Sequence, residues 1–287
     1  MENIIIPNPD VLNEKLKNIT KDGPEKLHIL SDFDRTLTKA FYKSKKASSI
    51  ISYLRKDKGR YLTKDYAEKA MNLFNKFHPI EINPNISKEE KSKKMYEWWK
   101  AHKELLIQSG FDKKLIQQSV KDMIKENSLM FRDNSNEFFE LLKLNKIPLI
   151  IMSSSLEDLI KEFIKQKNIY SDNIHVIANK FEFNEKGKAI SIKRIIHVFN
   201  KHEMELSKLS IYQELLKRKN IILLGDSLGD LGMSHGFPFD EIIKIGFLNE
   251  NIEQNLESYK KHFDIIILND GSIEYITNLL KKILKSF

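Results

Sequence analysis

Short runs of branched apolar residues recur along the chain at Leu27 to Ser31, Pro148 to Ser153, Ile174 to Ala178, Ile221 to Leu224, Ile242 to Ile245 and Ile265 to Leu268. Their hydrophobicity is continuous rather than alternating, which marks strands covered on both faces, as in parallel sheets. Between them, Leu156 to Lys167, Ser207 to Arg218, Ile252 to Lys261 and Ile273 to Leu284 place apolar residues at three- and four-residue spacing. That is the period of a half-buried helix. Strand and helix in alternation predict an α/β fold with a Rossmann-like, doubly wound, mostly parallel sheet. Lys180 to Arg194 instead alternates apolar and polar positions around Asn184-Glu185-Lys186-Gly187, which predicts a β-hairpin.

The rhythm breaks between the first two strands. From Lys45 to Asn134 the pattern reads as helices only, interrupted by a loop at Pro79 and Pro84. A crossover needs far less chain, so residues 45–134 are expected to form an inserted α-helical cap domain, with 1–44 and 135–287 as the core. Two hinge passages, near Tyr42 to Ala47 and near Phe131 to Ser135, would carry this cap as a lid whose closure excludes water.

Composition narrows the setting. A chain of 287 residues that is 41% hydrophobic can bury a substantial core. No apolar run approaches the roughly 20 residues of a bilayer span. The opening Met1-Glu2-Asn3-Ile4-Ile5-Ile6-Pro7 does not read as a secretory leader. With no cysteine, disulfides and thiolate metal sites are excluded, and a cytoplasmic setting is expected. The net charge of +8 attracts phosphates. Yet only Arg35, Arg55, Arg60, Arg132, Arg194 and Arg218 supply the guanidinium fork suited to nucleic-acid recognition, and the lysines are spread over helical faces. The charge therefore points to small anions rather than a nucleic-acid polymer, with RNA binding as the lesser alternative.

Chemistry concentrates where two apolar runs end. Asp32-Phe33-Asp34-Arg35-Thr36 follows the first strand and Gly225-Asp226-Ser227-Leu228-Gly229-Asp230 follows the fourth. Ligands of open α/β sheets bind at those strand ends. Carboxylates gathered there would resist ionising without a hard cation, and oxygen-only ligation suits Mg²⁺. Asp32 is a nucleophile candidate and Asp34 a general acid and base. An isolated Asp-x-Asp would more simply cap a turn, but the paired motifs after buried strands favour chemistry.

These motifs resemble those of the haloacid dehalogenase superfamily of phosphohydrolases, whose fold is a Rossmann-like core with a cap. The resemblance implies an aspartyl-phosphate on Asp32, and Mg²⁺ held by Asp32, the main-chain carbonyl of Asp34 and Asp226, with Asp230 in support. It also implies that Ser153, with the amides of Ser154 and Ser155, binds phosphate oxygens; the alternative is that Ser153 caps the next helix.

Thr36-Leu37, Ile80-Glu81-Ile82-Asn83-Pro84, Glu97-Trp98-Trp99, Ile196 to His202, Leu223 to Ser227 and Lys244 to Asn249 are similar, in order, to the cytosolic 5′-nucleotidase III family, which includes pyrimidine and 7-methylguanosine-phosphate-specific enzymes. By that resemblance Lys201 bridges phosphate and nucleophile, and Glu81 with Glu97-Trp98-Trp99 faces the nucleoside. Trp99 is the expected stacking face, while Trp98 is expected in the core with Met95, His102, Leu105 and Leu106. Ala101 stands where the pyrimidine-type enzymes have serine, which leans the base toward 7-methylguanine. Ser153-Ser154-Ser155-Leu156-Glu157-Asp158 departs from the family's Ser-Ala-Gly-Ile-Gly-Asp, and Arg35 replaces a methionine. The implied protein is a monomeric, Mg²⁺-dependent hydrolase of nucleoside 5′-monophosphates, with phosphotransfer as a side reaction. The alternatives are a phosphatase for another small monoester and a nucleotide-binding protein without turnover.

Overall fold

The computed structural model describes residues 3–56, 58–201, 210–235 and 238–285. Its centre is an eight-stranded sheet of β1 (Ile4–Ile5), β2 (Leu27–Ser31), β5 (Leu149–Leu156), β6 (Ile174–Phe183), β7 (Ala189–Arg194), β8 (Asn220–Gly225), β9 (Glu241–Leu248) and β10 (Ile265–Leu268) in the order β1-β10-β9-β8-β2-β5-β6-β7. The six strands from β10 to β6 run parallel, and only the edge strands β1 and β7 are antiparallel. The predicted fold class stands. β2 is fully buried along its length, with Leu27, Ile29 and Leu30 shielded from solvent, as continuous hydrophobicity requires. From β2 the chain builds outward through β5 and β6, then returns to start β8 on the other side. This reversal opens a crevice at the C-terminal ends of β2, β5 and β8.

The expected boundaries shift in instructive ways. β6 continues past Ala178 directly into the hairpin with β7, so one strand serves both readings. Helices α1 (Pro9–Asp22) and α6 (Ser135–Leu144) were not anticipated, and both cover the sheet. The helix expected from Ser207 falls partly outside the described residues; within them it is the short α8 (Tyr212–Leu215). Helices α9 (Ile252–His262) and α10 (Glu274–Leu284) match their apolar periodicity.

Between β2 and β5 lie a small hairpin of β3 (Phe41–Tyr42) and β4 (Lys45–Lys46), then α2 (Ile50–Arg55), α3 (Tyr66–Ile82), α4 (Lys88–Gln108) and α5 (Lys113–Lys125). The insertion is thus helical after its opening hairpin. Pro79 does not break α3, contrary to expectation. It lies in the last turn, where its ring forfeits a single backbone hydrogen bond, and the helix stops only ahead of Pro84. None of the helices among the described residues is long and apolar enough to cross a membrane.

The two passages into the insertion are stitched together: Thr38 bridges Phe131, and Lys39 N–H donates to the Met130 carbonyl at 2.9 Å. A third attachment was not foreseen. Lys113 N–H donates to the Gly187 carbonyl at 2.9 Å and Ala189 N–H to the Phe111 carbonyl at 3.0 Å, joining the insertion to the turn between β6 and β7. Lys103, on the α4 face expected to be apolar, is fully buried and donates its ammonium to the Arg194 carbonyl of β7.

His28 sits within β2 fully buried, its Nδ1 2.7 Å from the Arg218 carbonyl, and burial lowers its pKa to about 4. The unfolded chain therefore takes up this proton first as pH falls, so stability is present above the ordinary histidine pKa and is lost between roughly 6.5 and 4. Urea unfolding is expected to show a midpoint that declines across that window, and to decline less in a His28→Gln variant.

Candidate active site

Asp32 and Asp34 flank a residue that fixes them. Phe33 is fully buried and meets Phe131 and Phe163 edge-on, with centroids 6.3 and 6.0 Å away. With Phe33 anchored in the core, both neighbouring carboxylates face the crevice. Asp32 N–H donates to the Leu224 carbonyl at 3.0 Å, so the first motif is tied to the end of β8.

There the second motif folds tightly. A Cβ on Gly225 would lie 2.5 Å from Asp230 Cβ, so only glycine lets Asp230 pack against the strand end. Asp230 Oδ2 accepts from the backbone N–H of Asp226 at 3.2 Å and Ser227 at 3.0 Å, and from the Ser227 hydroxyl at 2.8 Å. Asp32, Asp226 and Asp230 consequently bring one oxygen each within 4.8 Å of the others.

Lys201 enters the same cluster, buried, donating to Asp32 Oδ1 at 2.5 Å and Asp230 Oδ1 at 3.2 Å. Burial alone would discharge it, but the two carboxylates hold its pKa above the ordinary lysine value. Burial pushes Asp32 up to about 7 against the pull of Lys201. Burial likewise raises Asp34 to about 6, opposed by the Ile50 N–H that its Oδ1 accepts at 2.9 Å. Asp226 is raised by burial and then by the charges of Asp230 and Asp32. One ammonium against this many carboxylates leaves an excess of negative charge on oxygen-only donors. The residues present therefore fit a hard divalent cation such as Mg²⁺.

The loop after Asp34 is held by a residue the motifs gave no hint of. Arg35 has φ of 63°, a left-handed conformation that costs about 1–2 kcal/mol without glycine. Its carbonyl accepts from the Arg132 guanidinium and from Asn249 Nδ2 at 3.0 Å. Arg132, buried with its guanidinium carbon 3.9 Å from the Phe247 ring centroid, also donates to the carbonyls of Thr36 at 2.6 Å and Gly271 at 2.7 Å, and pairs with Asp270 at 3.0 Å. Asp270 in turn accepts from the N–H groups of Ala40 at 2.7 Å and Phe41 at 3.0 Å. The Arg35 side chain turns toward Glu250, 3.4 Å away.

Ser153, Ser154 and Ser155 close the crevice from β5. Ser153 does not cap the following helix, because β5 runs on to Leu156 and α7 (Glu157–Gln166) starts only afterwards. Its hydroxyl accepts from Ser155 N–H at 3.0 Å, which engages one of the amides expected to face phosphate. Ser155 Oγ is buried without a hydrogen-bond partner among the described residues. The departure at Glu157 is structural: its buried carboxylate accepts from Lys161 at 2.7 Å and Lys180 at 2.8 Å, fastening α7 to the hairpin.

A cavity of about 320 Å³ extends from these groups to the insertion. Of the expected nucleoside-side residues, Glu81 and Trp99 line it. Ala101 is not among its lining residues, whereas the adjacent His102 is, because α4 turns Ala101 about 100° away. Glu97 also points elsewhere, exposed and paired with Lys94 at 3.0 Å. Trp98 is not a core residue: it stacks on Phe77 with centroids 6.1 Å apart and lines the cavity half-buried beside Trp99. Arg55, Phe74 and His78 were missed. Phe74 and His78 stack at 4.6 Å, and His78 Nδ1 lies 2.9 Å from Glu81 Oε2. The i, i+4 and i, i+3 spacings of these residues were a readable signal once α3 is taken to continue through Pro79.

Acidic side chains and a buried lysine over the C-terminal edge of a parallel sheet, beneath a helical insertion, define a hydrolase of the haloacid dehalogenase fold. A HAD-family hydrolase from Salmonella enterica serovar Typhi shares that fold, with a TM-score of 0.55 at 13% identity over 91% of this chain and 73% of its own. The chain belongs to the pyrimidine 5′-nucleotidase (UMPH-1) family, whose model matches residues 35–284. It is 34% identical to the 7-methylguanosine phosphate-specific 5′-nucleotidases of Homo sapiens and Mus musculus, each over 283 residues, 98% of this chain and 92% of theirs. The crystal structure of cytosolic 5′-nucleotidase IIIB bound to cytidine superposes with a TM-score of 0.87 at 30% identity, over 100% of this chain and 94% of that one.

Replacing Arg132 by methionine takes the guanidinium away from Asp270 and from the buried carbonyls it serves. A loss of about 3–5 kcal/mol in unfolding free energy is expected, measured by urea titration.

Proposed function

We propose that this protein is a cytosolic, Mg²⁺-dependent 5′-nucleotidase that hydrolyses pyrimidine or 7-methylguanosine 5′-monophosphates through an aspartyl-phosphate. The observation that carries this reading is the buried contact of Asp32 with Lys201 at 2.5 Å, inside a carboxylate cluster that opens into an aromatic cavity. Asp32, Asp226, Asp230 and the main-chain carbonyl of Asp34 would hold the cation, which when bound offsets the repulsion between an anionic nucleophile and an anionic phosphate.

In the first step Asp32 bonds to phosphorus as the bond to the 5′-oxygen breaks, and Asp34 gives its proton to that departing oxygen. In the second, Asp34 takes a proton from water, whose oxygen attacks phosphorus and releases orthophosphate with Asp32 restored. Lys201 steadies the negative charge on the transferring group, and Ser153 with Ser154 orients its oxygens. A nucleoside in place of water would make the same intermediate a phosphoryl donor. The helical insertion, residues 45–134, acts as the cap: Trp99 and Trp98 offer stacking faces and Glu81 a hydrogen-bond acceptor for the base. Support for the base comes from the relatives' names and from this aromatic, acidic lining, which suits a cationic methylated guanine as well as a pyrimidine.

Released phosphate measured across CMP, UMP, 7-methyl-GMP, AMP and GMP is expected to be high for one of the first three and low for AMP and GMP; equal release from all, or none, contradicts the proposal. Chelation with EDTA should abolish turnover and added Mg²⁺ restore it. Asp32→Asn is expected to lower kcat by more than about 10³-fold. Trp99→Ala should instead raise KM about tenfold, within the range of about 1–3 kcal/mol for a base–aromatic stack.

A further inference from the structure

A second cavity, of about 420 Å³, adjoins the first and shares with it Arg35, Ser49, Arg55, Phe74 and His78. Its polar lining is basic: Arg35, Lys46, Arg55 and Lys56, with no carboxylate lining it among the described residues. Glu250 offsets part of this charge, accepting from Lys46 at 2.6 Å and standing 3.4 Å from Arg35, and Glu81 acts on Arg55 from the first cavity. Lys56 donates to the Ser48 hydroxyl at 2.8 Å and Arg55 to that of Ser52 at 2.5 Å, so among the described residues neither cation is hydrogen-bonded to a carboxylate. Arg55 is half-buried against the Phe74 ring, 4.8 Å from its centroid, and among the described residues it engages one of its donors, with Ser52. More cations than acids, with hydroxyls around a hollow, form a receptor for a phosphate-like anion.

Its position says which anion. The shared wall runs from the acidic end, where Arg35 follows Asp34 and Ser49 precedes the Ile50 N–H that Asp34 accepts, to the aromatic end at Phe74 and His78. A nucleotide lying between Asp32 and Trp99 would present its ribose to the opening between the two cavities.

Resting on the nucleotidase reading above, we infer that the basic side cavity is a second anion subsite that takes a phosphate carried on the 2′- or 3′-oxygen of the ribose, so that nucleoside bisphosphates bind better than 5′-monophosphates. The test compares cytidine 3′,5′-bisphosphate with CMP on the native protein and on a Lys46→Met/Lys56→Met variant. Both kcat/KM and, on an Asp32→Asn background, equilibrium affinity are measured. The native protein is expected to favour the bisphosphate about tenfold by both measures. The double variant should lose that preference while its constants for CMP stay within twofold. An equal fall for both ligands, or no preference in the native protein, overturns the inference. Orthophosphate should compete with CMP; tighter CMP binding in its presence would mean the subsite takes a free anion and would overturn the assignment to a ribose phosphate. If the bisphosphate binds better but none of CMP, UMP and 7-methyl-GMP releases phosphate, the nucleotidase reading fails and the subsite stands; turnover of CMP without a preference gives the converse.

Discussion

An ammonium group sunk among carboxylates is the constraint around which the molecule is arranged. Moving ions of that kind out of water costs several kcal/mol each, and only close, well-aimed contacts offset it. Lys201 secures them by reaching Asp32 from one motif and Asp230 from the other, at the meeting point of β2 and β8. The parallel sheet supplies the precision. Because β2 and β8 are hydrogen-bonded neighbours in register, the residues that follow them are placed together by backbone geometry before any side chain contributes. Charge excess then remains as a property of the fold.

Arg132 performs the same service for the backbone that Lys201 performs for the side chains. It gathers carbonyls from the loop after Asp34 and from the turn after β10, along with Asp270, into one buried knot. The left-handed Arg35 is sustained by that knot, and the carbonyl it aims away from the crevice is one of the atoms Arg132 holds. Rigidity at the first motif thus originates at the root of the insertion and at the far edge of the sheet, not within the motif itself.

The fold class was legible because β2, β8 and β10 are short and dominated by Leu and Ile without polar alternation, a pattern that fits strands covered on both sides. The acidic positions were legible for a related reason, since a carboxylate directly after such a strand has few structural uses. Arg132 was not legible: it stands in no motif, and its partners Thr36, Asn249, Asp270 and Gly271 come from distant parts of the chain. The aromatic end of the cavity was half legible. Trp99 could be singled out, but Trp98 could not be separated from it by helical angle alone, because whether a helix face meets a core or a hollow depends on what packs opposite. Lys103 shows the same limit, a lysine beside the apolar positions of α4 whose burial against β7 the spacing alone could not reveal.

The junction of the insertion with the turn beyond β6 changes how anything enters the cavity. A door hung on two pins swings as a slab, but a panel fixed along a further margin can only bow. The second half of α4, from His102 onward, is clamped by burial and by Lys103, whereas its first turns carry exposed Glu89, Lys93 and Glu97 and stand clear of the sheet. Any opening would then have to come from the tips of α3 and α4 around Pro84, where Lys91 rests 5.8 Å from the Phe199 ring centroid, while the carboxylates stay still. Entry and exit would then be a matter of peeling one corner.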